Sequence, residues 1–381
     1  MNEIIRPKQV PGLYVHVPFC ARKCKYCSFY SEPIAGFDSG ALVDASVAEM
    51  DRYSRIGEIK TAYIGGGSPS CLGSGELEKL VLSIVEKWPC PEEFTIEFNP
   101  SQVGGHDLEK LLSLGVSRIS IGGQSFVESE LEVLGRDHSA GTIENAVKAA
   151  KEAGFGNISV DLIFGIPGSS IESFECSLRR AIGLGVEHIS AYSLSYEKGT
   201  FLQNALEAGE VRAVDEQVER RMYERAIEIL KDAGFGQYEI SNFAKPGFEC
   251  CHNHIYWANG DYIGIGPSAT SYIGGVRSTN IGDIGKYISL IAENKSASVS
   301  SERVSTVERA CQSAVLNLRR RRGIIIEEFK KSTGFAPLEL FADAIETHVK
   351  SGLLEVNSYA IFLRTEALFI SDSVLCDFAA I

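Results

Sequence analysis

The sequence has no long apolar run and no excess of positive charge. No segment approaches the roughly 18 consecutive apolar residues that span a membrane, and the N-terminal segment MNEIIRPKQVPG lacks the apolar core of a signal peptide. We therefore expect a cytoplasmic protein. The net charge is −13, which argues against a protein that binds nucleic-acid phosphates. The one basic run, Arg319–Arg322, is expected to be a solvated face.

A disulfide framework is also not expected, although the chain has ten cysteines. The cytosol keeps thiols reduced, so most of them should be small buried hydrophobic residues. We expect this of Cys71, Cys90, Cys176, Cys311 and Cys376. A second pair of the CxxC type is missing, because Cys250 and Cys251 are adjacent and could not both bind a metal easily. The clustered cysteines Cys20, Cys24 and Cys27 need another explanation.

Short runs rich in Val, Ile, Tyr and Phe alternate with helix-like segments in the first half of the chain. The predicted strands are Leu13–Val17, Ala62–Ile64, Phe94–Phe98, Arg118–Ile121, Ser159–Ile163 and His188–Ser193. Their composition is that of parallel strands buried on both faces. Repeated strand–helix units predict an α/β fold whose sheet is either doubly wound or curled into a barrel. Functional residues should then lie in the loops that follow the strands.

The strand–helix rhythm stops near residue 282. A further β-like run, Gln237–Ile240, leads into a predicted loop, Ser241–Gly275, that is rich in Gly, Asn and aromatic residues. Beyond it, Val304–Arg319 and Ile325–Lys331 look helical, and Tyr359–Leu363 looks like a strand. We predict a first domain over residues 1–280 and a small α+β domain over residues 295–381.

The spacing Cys20-x3-Cys24-x2-Cys27 is the strongest chemical signal. Thiolates are the natural ligands of iron–sulfur clusters. Three thiolates on a four-iron cubane leave one iron open, which is useful if another molecule is meant to bind there. The alternatives are a structural zinc site, which is closed by four protein ligands, and a redox dithiol.

The residues around these cysteines resemble a known family. Tyr14-Val-His-Val-Pro-Phe-Cys20 and Cys27-Ser-Phe29 resemble the cluster loop of the radical SAM superfamily, in its HemN-like branch of oxygen-independent coproporphyrinogen III oxidases. Phe29 stands where a fourth Cys would be, and this resembles the HemW-type haem chaperones. The resemblance implies a 4Fe-4S cluster on Cys20, Cys24 and Cys27, bound S-adenosylmethionine (SAM), and a partial (βα)6 TIM-like barrel with a small C-terminal α+β domain.

Further motifs match the same family in order. They are Gly65-Gly-Gly-Ser68-Pro69, Glu97, Ser120-Ile-Gly-Gly-Gln124-Ser-Phe126, Leu134-Gly-Arg136-Asp-His138 and Val160-Asp161-Leu-Ile-Phe-Gly165. The resemblance assigns SAM contacts to Tyr14, Phe29, Gly66, Gly67, Ser68, Glu97, Gln124, Arg136 and Asp161. The resemblance implies that Glu97 binds the ribose hydroxyls or the ammonium group of SAM, and that Arg136 binds its methionine carboxylate. Singly, a carboxylate or an arginine is more often part of a surface ion pair.

A second stretch, Cys250–Trp257, resembles the HNxxYW motif of the HemW-type group. The resemblance assigns haem contacts to His252, Asn253, Tyr256 and Trp257. Imidazole is a natural axial ligand of haem iron, and aromatic rings stack on a porphyrin face. The alternative is a buried histidine whose nitrogens are bonded to loop carbonyls.

Three functions are compatible with these motifs. The first is a haem chaperone that passes haem to an acceptor protein. The second is a coproporphyrinogen III dehydrogenase of porphyrin biosynthesis that forms protoporphyrinogen IX. It would need a second SAM site and an N-terminal extension, yet only 13 residues precede Tyr14. The third is another radical SAM enzyme, such as a methyltransferase. Each radical SAM reaction also needs an electron donor.

Overall fold

A large, mostly parallel sheet forms the centre of the protein. The structure is a computed structural model that describes residues 9–379, so most of the segment that lacks a signal-peptide core lies outside the described residues. Within the described part, the sheet has twelve strands. Six of them are parallel and adjacent in chain order, and we call them the first to sixth barrel strands. They are Gly12–Val17, Thr61–Gly66, Glu93–Phe98, Arg118–Gln124, Ile158–Phe164 and His188–Ser193.

Helices connect these strands. They are Ser39–Met50, Ser74–Lys87, Leu108–Ser113, Glu128–Leu134, Ala140–Glu152 and Ile171–Gly183, with Phe201–Glu207 and Glu216–Asp232 after the last barrel strand. Each barrel strand lies beside the preceding one without a reversal of order, which is the winding of a barrel and not of a doubly wound sheet. The predicted α/β fold with a mostly parallel sheet is confirmed.

The register of neighbouring barrel strands places their C-terminal ends together at one end of the barrel and their N-terminal ends together at the other. Val17 is the register partner of Gly66, and Ile64 is the partner of Ile96. We call the end where the six strands finish the mouth, and the end where they start the closed end. The cluster loop directly follows the first barrel strand, so the three clustered cysteines belong to the mouth.

The prediction of a loop over Ser241–Gly275 is wrong. The segment contains the strands Asn242–Ala244, Tyr262–Ile265 and Thr270–Ile273 and the helix Cys251–Trp257. Tyr262–Ile265 runs parallel to the first barrel strand and extends the sheet beyond it. Gly264, which looked like a loop residue, permits close packing, because a Cβ there would lie 2.2 Å from the Thr270 carbonyl oxygen. Of the predicted run 237–240, only Gln237 lies in a strand, Gly236–Gln237.

The large sheet continues past residue 295. Val276–Asn280 pairs with Ser298–Arg303, with the helix Ile284–Ala292 between them. The rest of the described chain contains the helices Thr306–Leu318, Ile326–Thr333, Pro337–Leu340, Ala342–Lys350 and Ser371–Ala379 and a small sheet of Ile324–Ile325, Leu354–Val356 and Ala360–Leu363. The division into domains over 1–280 and 295–381 stays a prediction.

Part of the basic run Arg319–Arg322 is buried, although we expected a solvated face. The Arg319 guanidinium stacks on the Trp257 ring at 5.0 Å. Arg320 is buried and donates to Asn317 Oδ1 at 2.6 Å, and its burial lowers the pKa of the guanidinium to about 10. The prediction is therefore wrong for Arg319 and Arg320, which pack against Trp257 and Asn317, whereas Arg322 is exposed.

The expectation of buried cysteines is wrong for three of them. Cys90, Cys176 and Cys376 are exposed, whereas Cys311 is buried and Cys71 is half-buried. Cys176 and Cys376 lie on solvent-facing sides of helices, and Cys90 occupies a turn with φ of 58°. All ten cysteines are free thiols. Among residues 9–379, none of the helices has the length and apolarity to cross a membrane.

Candidate functional site

The cluster loop at the mouth is tied at both of its ends. Phe19–Cys20 pairs with Glu32–Pro33 in a small two-stranded sheet. Inside the loop, the Cys27 N–H donates to the Cys24 carbonyl at 3.3 Å. The loop therefore holds three half-buried thiols on a short, closed segment.

The three thiols lie close enough to influence one another. Burial, with smaller contributions from neighbouring thiols that include Cys24 and Cys27, raises the pKa of Cys20 to about 11. An arginine lies at the same place, because Arg136 Nη1 donates to Cys24 Sγ at 3.2 Å. Three thiolates held this close need a compensating cation, and an iron–sulfur cluster provides one.

The thiols suit a cluster better than a single ion. Within the described range, no three His, Cys, Asp or Glu side chains come close enough to hold one metal ion. A cubane does not require this, because each thiolate binds its own iron at a separate corner. The donor set therefore fits a 4Fe-4S cluster on Cys20, Cys24 and Cys27.

The glycine segment after the second barrel strand packs against the cluster loop. Gly66 has φ of 115°, and a Cβ there would lie 2.4 Å from His16 Nδ1. A Cβ on Gly67 would lie 2.4 Å from the Phe19 carbonyl oxygen. Only glycine fits at both positions, and the Ser68 N–H then donates to the same Phe19 carbonyl at 2.7 Å. The result is a surface of bare peptide groups beside the cluster loop.

Glu97, near the end of the third barrel strand, faces the inside of the barrel. Its carboxylate accepts from the Tyr63 hydroxyl at 2.7 Å and from the Gly66 N–H at 3.1 Å. Burial raises the pKa of Glu97 to about 7, against the opposing effect of the Tyr63 hydrogen bond. Sequence analysis missed Tyr63. The signal was strand alternation, which turns Tyr63 to the same face as Gly65.

Asp161, on the fifth barrel strand, is surrounded by hydroxyls. It accepts from Ser190 at 2.6 Å, from Ser120 at 3.1 Å and from Ser159 at 3.4 Å. Burial raises its pKa, and these hydrogen bonds oppose that effect. None of the three serines was predicted as a site residue, although Ser120 begins one of the family motifs and each serine lies on a barrel strand at a position that faces Asp161.

Gln124 and Arg136 shape the end of the fourth barrel strand. Gln124 has φ of 69°, and the register with the fifth strand shifts just before it. Such strain in a residue other than glycine is concentrated at functional sites. Arg136 Nη2 donates to the Gly122 carbonyl at 2.8 Å, so this side chain joins the fourth strand to Cys24. Its Nε is buried without a hydrogen-bond partner. Its predicted contact with the methionine carboxylate stays a prediction.

The remaining predicted SAM residues also lie at the mouth or in the barrel. The Tyr14 hydroxyl lies 3.0 Å from His16 Nδ1. The Ser68 hydroxyl donates to Gln102 Oε1 at 3.1 Å. Phe29 follows the last cysteine and is 70% exposed. The residues predicted for SAM therefore lie at the mouth or, as Tyr14 and Asp161 do, in the middle of the barrel strands.

His252 lies at the opposite, closed end. Its Nδ1 lies 2.7 Å from the hydroxyl of Thr61, the first residue of the second barrel strand. Its Nε2 lies 3.0 Å from the Tyr256 hydroxyl. The ring is 1% exposed, and burial lowers its pKa to about 3. His252 therefore matches the alternative of a buried, hydrogen-bonded histidine, with hydroxyls in place of loop carbonyls, and its role as a haem ligand stays a prediction.

The helix Cys251–Trp257 covers the closed end of the barrel. Glu93, which starts the third barrel strand, accepts from the backbone N–H groups of Cys251 and His252 at 3.0 and 3.1 Å. On the other side, Asn317 donates to the Trp257 carbonyl at 3.1 Å. Asn253 is half-buried. Tyr63 links this helix to the SAM residues, because its ring lies 5.1 Å from the His252 ring and its hydroxyl donates to Glu97 at 2.7 Å.

Comparison with known proteins identifies the family. The family model described as the Radical SAM superfamily matches residues 14–181. The protein named "Heme chaperone HemW" of Bacillus subtilis (strain 168) is 34% identical over 368 residues, which cover 95% of this chain and 97% of that protein. The protein of the same name from Lactococcus lactis subsp. lactis is 32% identical over 363 residues and covers 95% of each chain.

The fold is also found among solved structures. Coproporphyrinogen III oxidase (HemN) from Escherichia coli, a radical SAM enzyme, superposes with a TM-score of 0.84 at 20% sequence identity. The superposition covers 99% of this chain and 92% of that chain. The chain therefore belongs to the radical SAM superfamily and, within it, to the family of the HemW proteins.

Proposed function

We propose that the protein is a haem chaperone, which binds haem and delivers it to an acceptor protein. The observation that carries this proposal is the similarity to the HemW heme chaperones along almost the whole chain. Phe29, in place of a fourth cysteine of the cluster motif, supports the same assignment.

The cofactors of this family are a 4Fe-4S cluster and SAM, and the mouth offers residues for both. Cys20, Cys24 and Cys27 would hold the cluster. The peptide groups of Gly66 and Gly67 and the Glu97 carboxylate would orient SAM beside it. When bound, a reduced cluster and SAM supply one-electron cleavage of the sulfonium, and this requires an electron donor. The protein's own contribution is to fix these groups and to exclude water.

Haem binding through His252 would require a movement of the helix Cys251–Trp257. Both imidazole nitrogens are already bonded, to the hydroxyls of Thr61 and Tyr256. An iron–nitrogen bond would have to replace one of these contacts and admit a macrocycle at a buried position. We propose that haem uptake opens the closed end of the barrel, away from the cluster.

The test is a haem titration of the anaerobically reconstituted protein, with coproporphyrinogen turnover measured on the same sample. We expect a shifted Soret band that saturates with haem, and no protoporphyrinogen in the presence of SAM and a reductant. Steady formation of protoporphyrinogen without a Soret shift would refute the chaperone proposal and favour the dehydrogenase.

A further inference from the structure

A buried arginine, Arg118, lies at the closed end of the barrel, which the helix Cys251–Trp257 covers. It begins the fourth barrel strand, and its register partner on the third strand is Thr95. Thr95 lies two residues beyond Glu93, whose carboxylate holds the helix. Strand alternation turns Arg118 to the same face as Ser120, whose hydroxyl is bonded inside the barrel. The Arg118 side chain therefore belongs to the inside of the barrel at its closed end.

The guanidinium of Arg118 forms no ion pair within the part of the chain that the structure describes. The residue is 2% exposed, and its Nε has no hydrogen-bond partner there. Glu93 is a neighbouring carboxylate, but its two oxygens already accept from the N–H groups of Cys251 and His252. A buried charge without an ion pair is costly, so an unsatisfied group of this kind indicates a ligand or bound water.

The hydroxyl of Thr95 is a second polar group of the same kind. Thr95 is fully buried, and its Oγ1 also lacks a hydrogen-bond partner among residues 9–379. Neighbouring strands lie about 4.8 Å apart, so Thr95 and Arg118 are side by side on adjacent strands. A guanidinium and a hydroxyl can both donate to an anion. The pair therefore suits a carboxylate, which arginine binds with two parallel hydrogen bonds.

Haem offers a group that matches this pair, because its apolar macrocycle carries two propionate carboxylates. Arg118 acts on the predicted haem ligand: after burial, its charge is the second cause that lowers the pKa of His252 to about 3. The inside of the barrel at this end is polar and suits a carboxylate better than an apolar ring. Buried polar residues of the barrel strands there include Thr61, Glu93, Thr95, Ser159 and His188.

We propose that Arg118, together with the Thr95 hydroxyl, binds a propionate carboxylate of haem when the helix Cys251–Trp257 opens. The propionate enters the barrel from its closed end, while the macrocycle stays with His252 and the aromatic residues of the helix. The carboxylate then neutralises the buried guanidinium, so the site distinguishes haem from a porphyrin without free carboxylates. This inference rests on the proposed function, which places haem at this end of the barrel.

A titration with two ligands tests the proposal. Haem and haem dimethyl ester, whose propionates are esterified, are titrated separately into the anaerobically reconstituted protein, and the Soret band is recorded. We expect the ester to bind the wild type at least about tenfold more weakly than haem, because it cannot form the charge-assisted bonds to the guanidinium. This comparison needs no variant and does not depend on the folding of one.

Arg118→Met, which removes the charge and keeps a long side chain, gives the second half of the test. Haem should bind this variant at least about tenfold more weakly than it binds the wild type, whereas the ester should bind both proteins equally. Arg118→Lys, which keeps the charge but loses the planar fork, should bind haem with an intermediate affinity. Arg55→Met, at an exposed position, should bind both ligands as the wild type does.

Two results would overturn the proposal even though haem gives a saturable Soret shift. Equal affinity of the wild type for haem and its ester, or unchanged haem affinity in Arg118→Met, would leave the guanidinium with bound water only. An equal loss of affinity for both ligands in Arg118→Met would mean that Arg118 supports the fold of the closed end and does not contact a propionate. Absence of any Soret shift when haem is added to the wild type would instead contradict the chaperone proposal itself.

Discussion

Replacement of Glu97 by Gln tests two effects of this residue, one on the stability of the barrel and one on SAM binding. Burial raises the pKa of Glu97 from the ordinary value of 4.5 to about 7. The folded state therefore binds a proton more tightly than the unfolded state, and stability falls as the pH rises from 4.5 towards 7. The full difference between the two pKa values corresponds to roughly 3 kcal/mol of folding stability. About 2 kcal/mol of this stability is lost between pH 5.5 and pH 8.

Glu97→Gln removes this titration and keeps the shape of the side chain. Both proteins are compared without the cluster. We expect the free energy of unfolding of the variant minus that of the wild type to increase by about 2 kcal/mol between pH 5.5 and pH 8. Urea titrations at the two pH values measure it. Glu86→Gln, at an exposed position, is the matched control and should follow the wild type.

The same variant should bind SAM less well. Loss of a hydrogen bond to a charged acceptor costs about 1.5–3 kcal/mol, or roughly ten- to hundredfold in affinity. Calorimetry on the reconstituted protein measures this loss. A stability difference between Glu97→Gln and the wild type that does not change with pH would refute the argument about burial, and unchanged SAM affinity would remove Glu97 from the SAM site.

Three further predictions concern the two ends of the barrel. Ser in place of any one of the three clustered cysteines should abolish the iron–sulfur absorbance after reconstitution, whereas Cys90→Ser, at an exposed turn, should keep its iron content; a cluster that persists in any of the three variants would contradict the ligand assignment. Arg136→Lys should weaken SAM binding by roughly tenfold or more in calorimetry, because lysine lacks the planar fork that meets a carboxylate with two bonds; an unchanged affinity would place Arg136 outside the site. His252→Ala should lower the free energy of unfolding by about 2–4 kcal/mol, since it leaves a cavity and two unpaired hydroxyls, and it should reduce haem binding in a Soret titration without loss of cluster or SAM; unaltered haem affinity would exclude His252 as the ligand.

The barrel and its mouth were largely predictable from the sequence. Strand positions follow from local composition, and the cysteine, glycine and carboxylate motifs lie at the ends of consecutive strands. Parallel strands bring those ends together, so the order of the motifs along the chain is enough to place them at one edge. Glu97 and the Gly66–Gly67 pair illustrate this, because only their strand positions were needed.

The location of the HNxxYW helix was not predictable in the same way. The bond between Thr61 and His252 joins residues 191 apart in the sequence, and no local pattern fixes which end of the barrel a helix covers. The burial of His252 and the strand around Gly264 depend on the same long-range packing. Cys71 was grouped with buried hydrophobic residues because Gln102, whose Nε2 lies 3.1 Å from its sulfur, is 31 positions away in the sequence.

The most direct test of the account concerns the open iron at the mouth. The reconstituted protein is reduced under anaerobic conditions, and its electron paramagnetic resonance spectrum is recorded with and without SAM. The account predicts about four irons per chain and a spectrum that changes when SAM is added, because SAM binds at the iron that the three cysteines leave free. A fully loaded cluster whose spectrum does not respond to saturating SAM would contradict it.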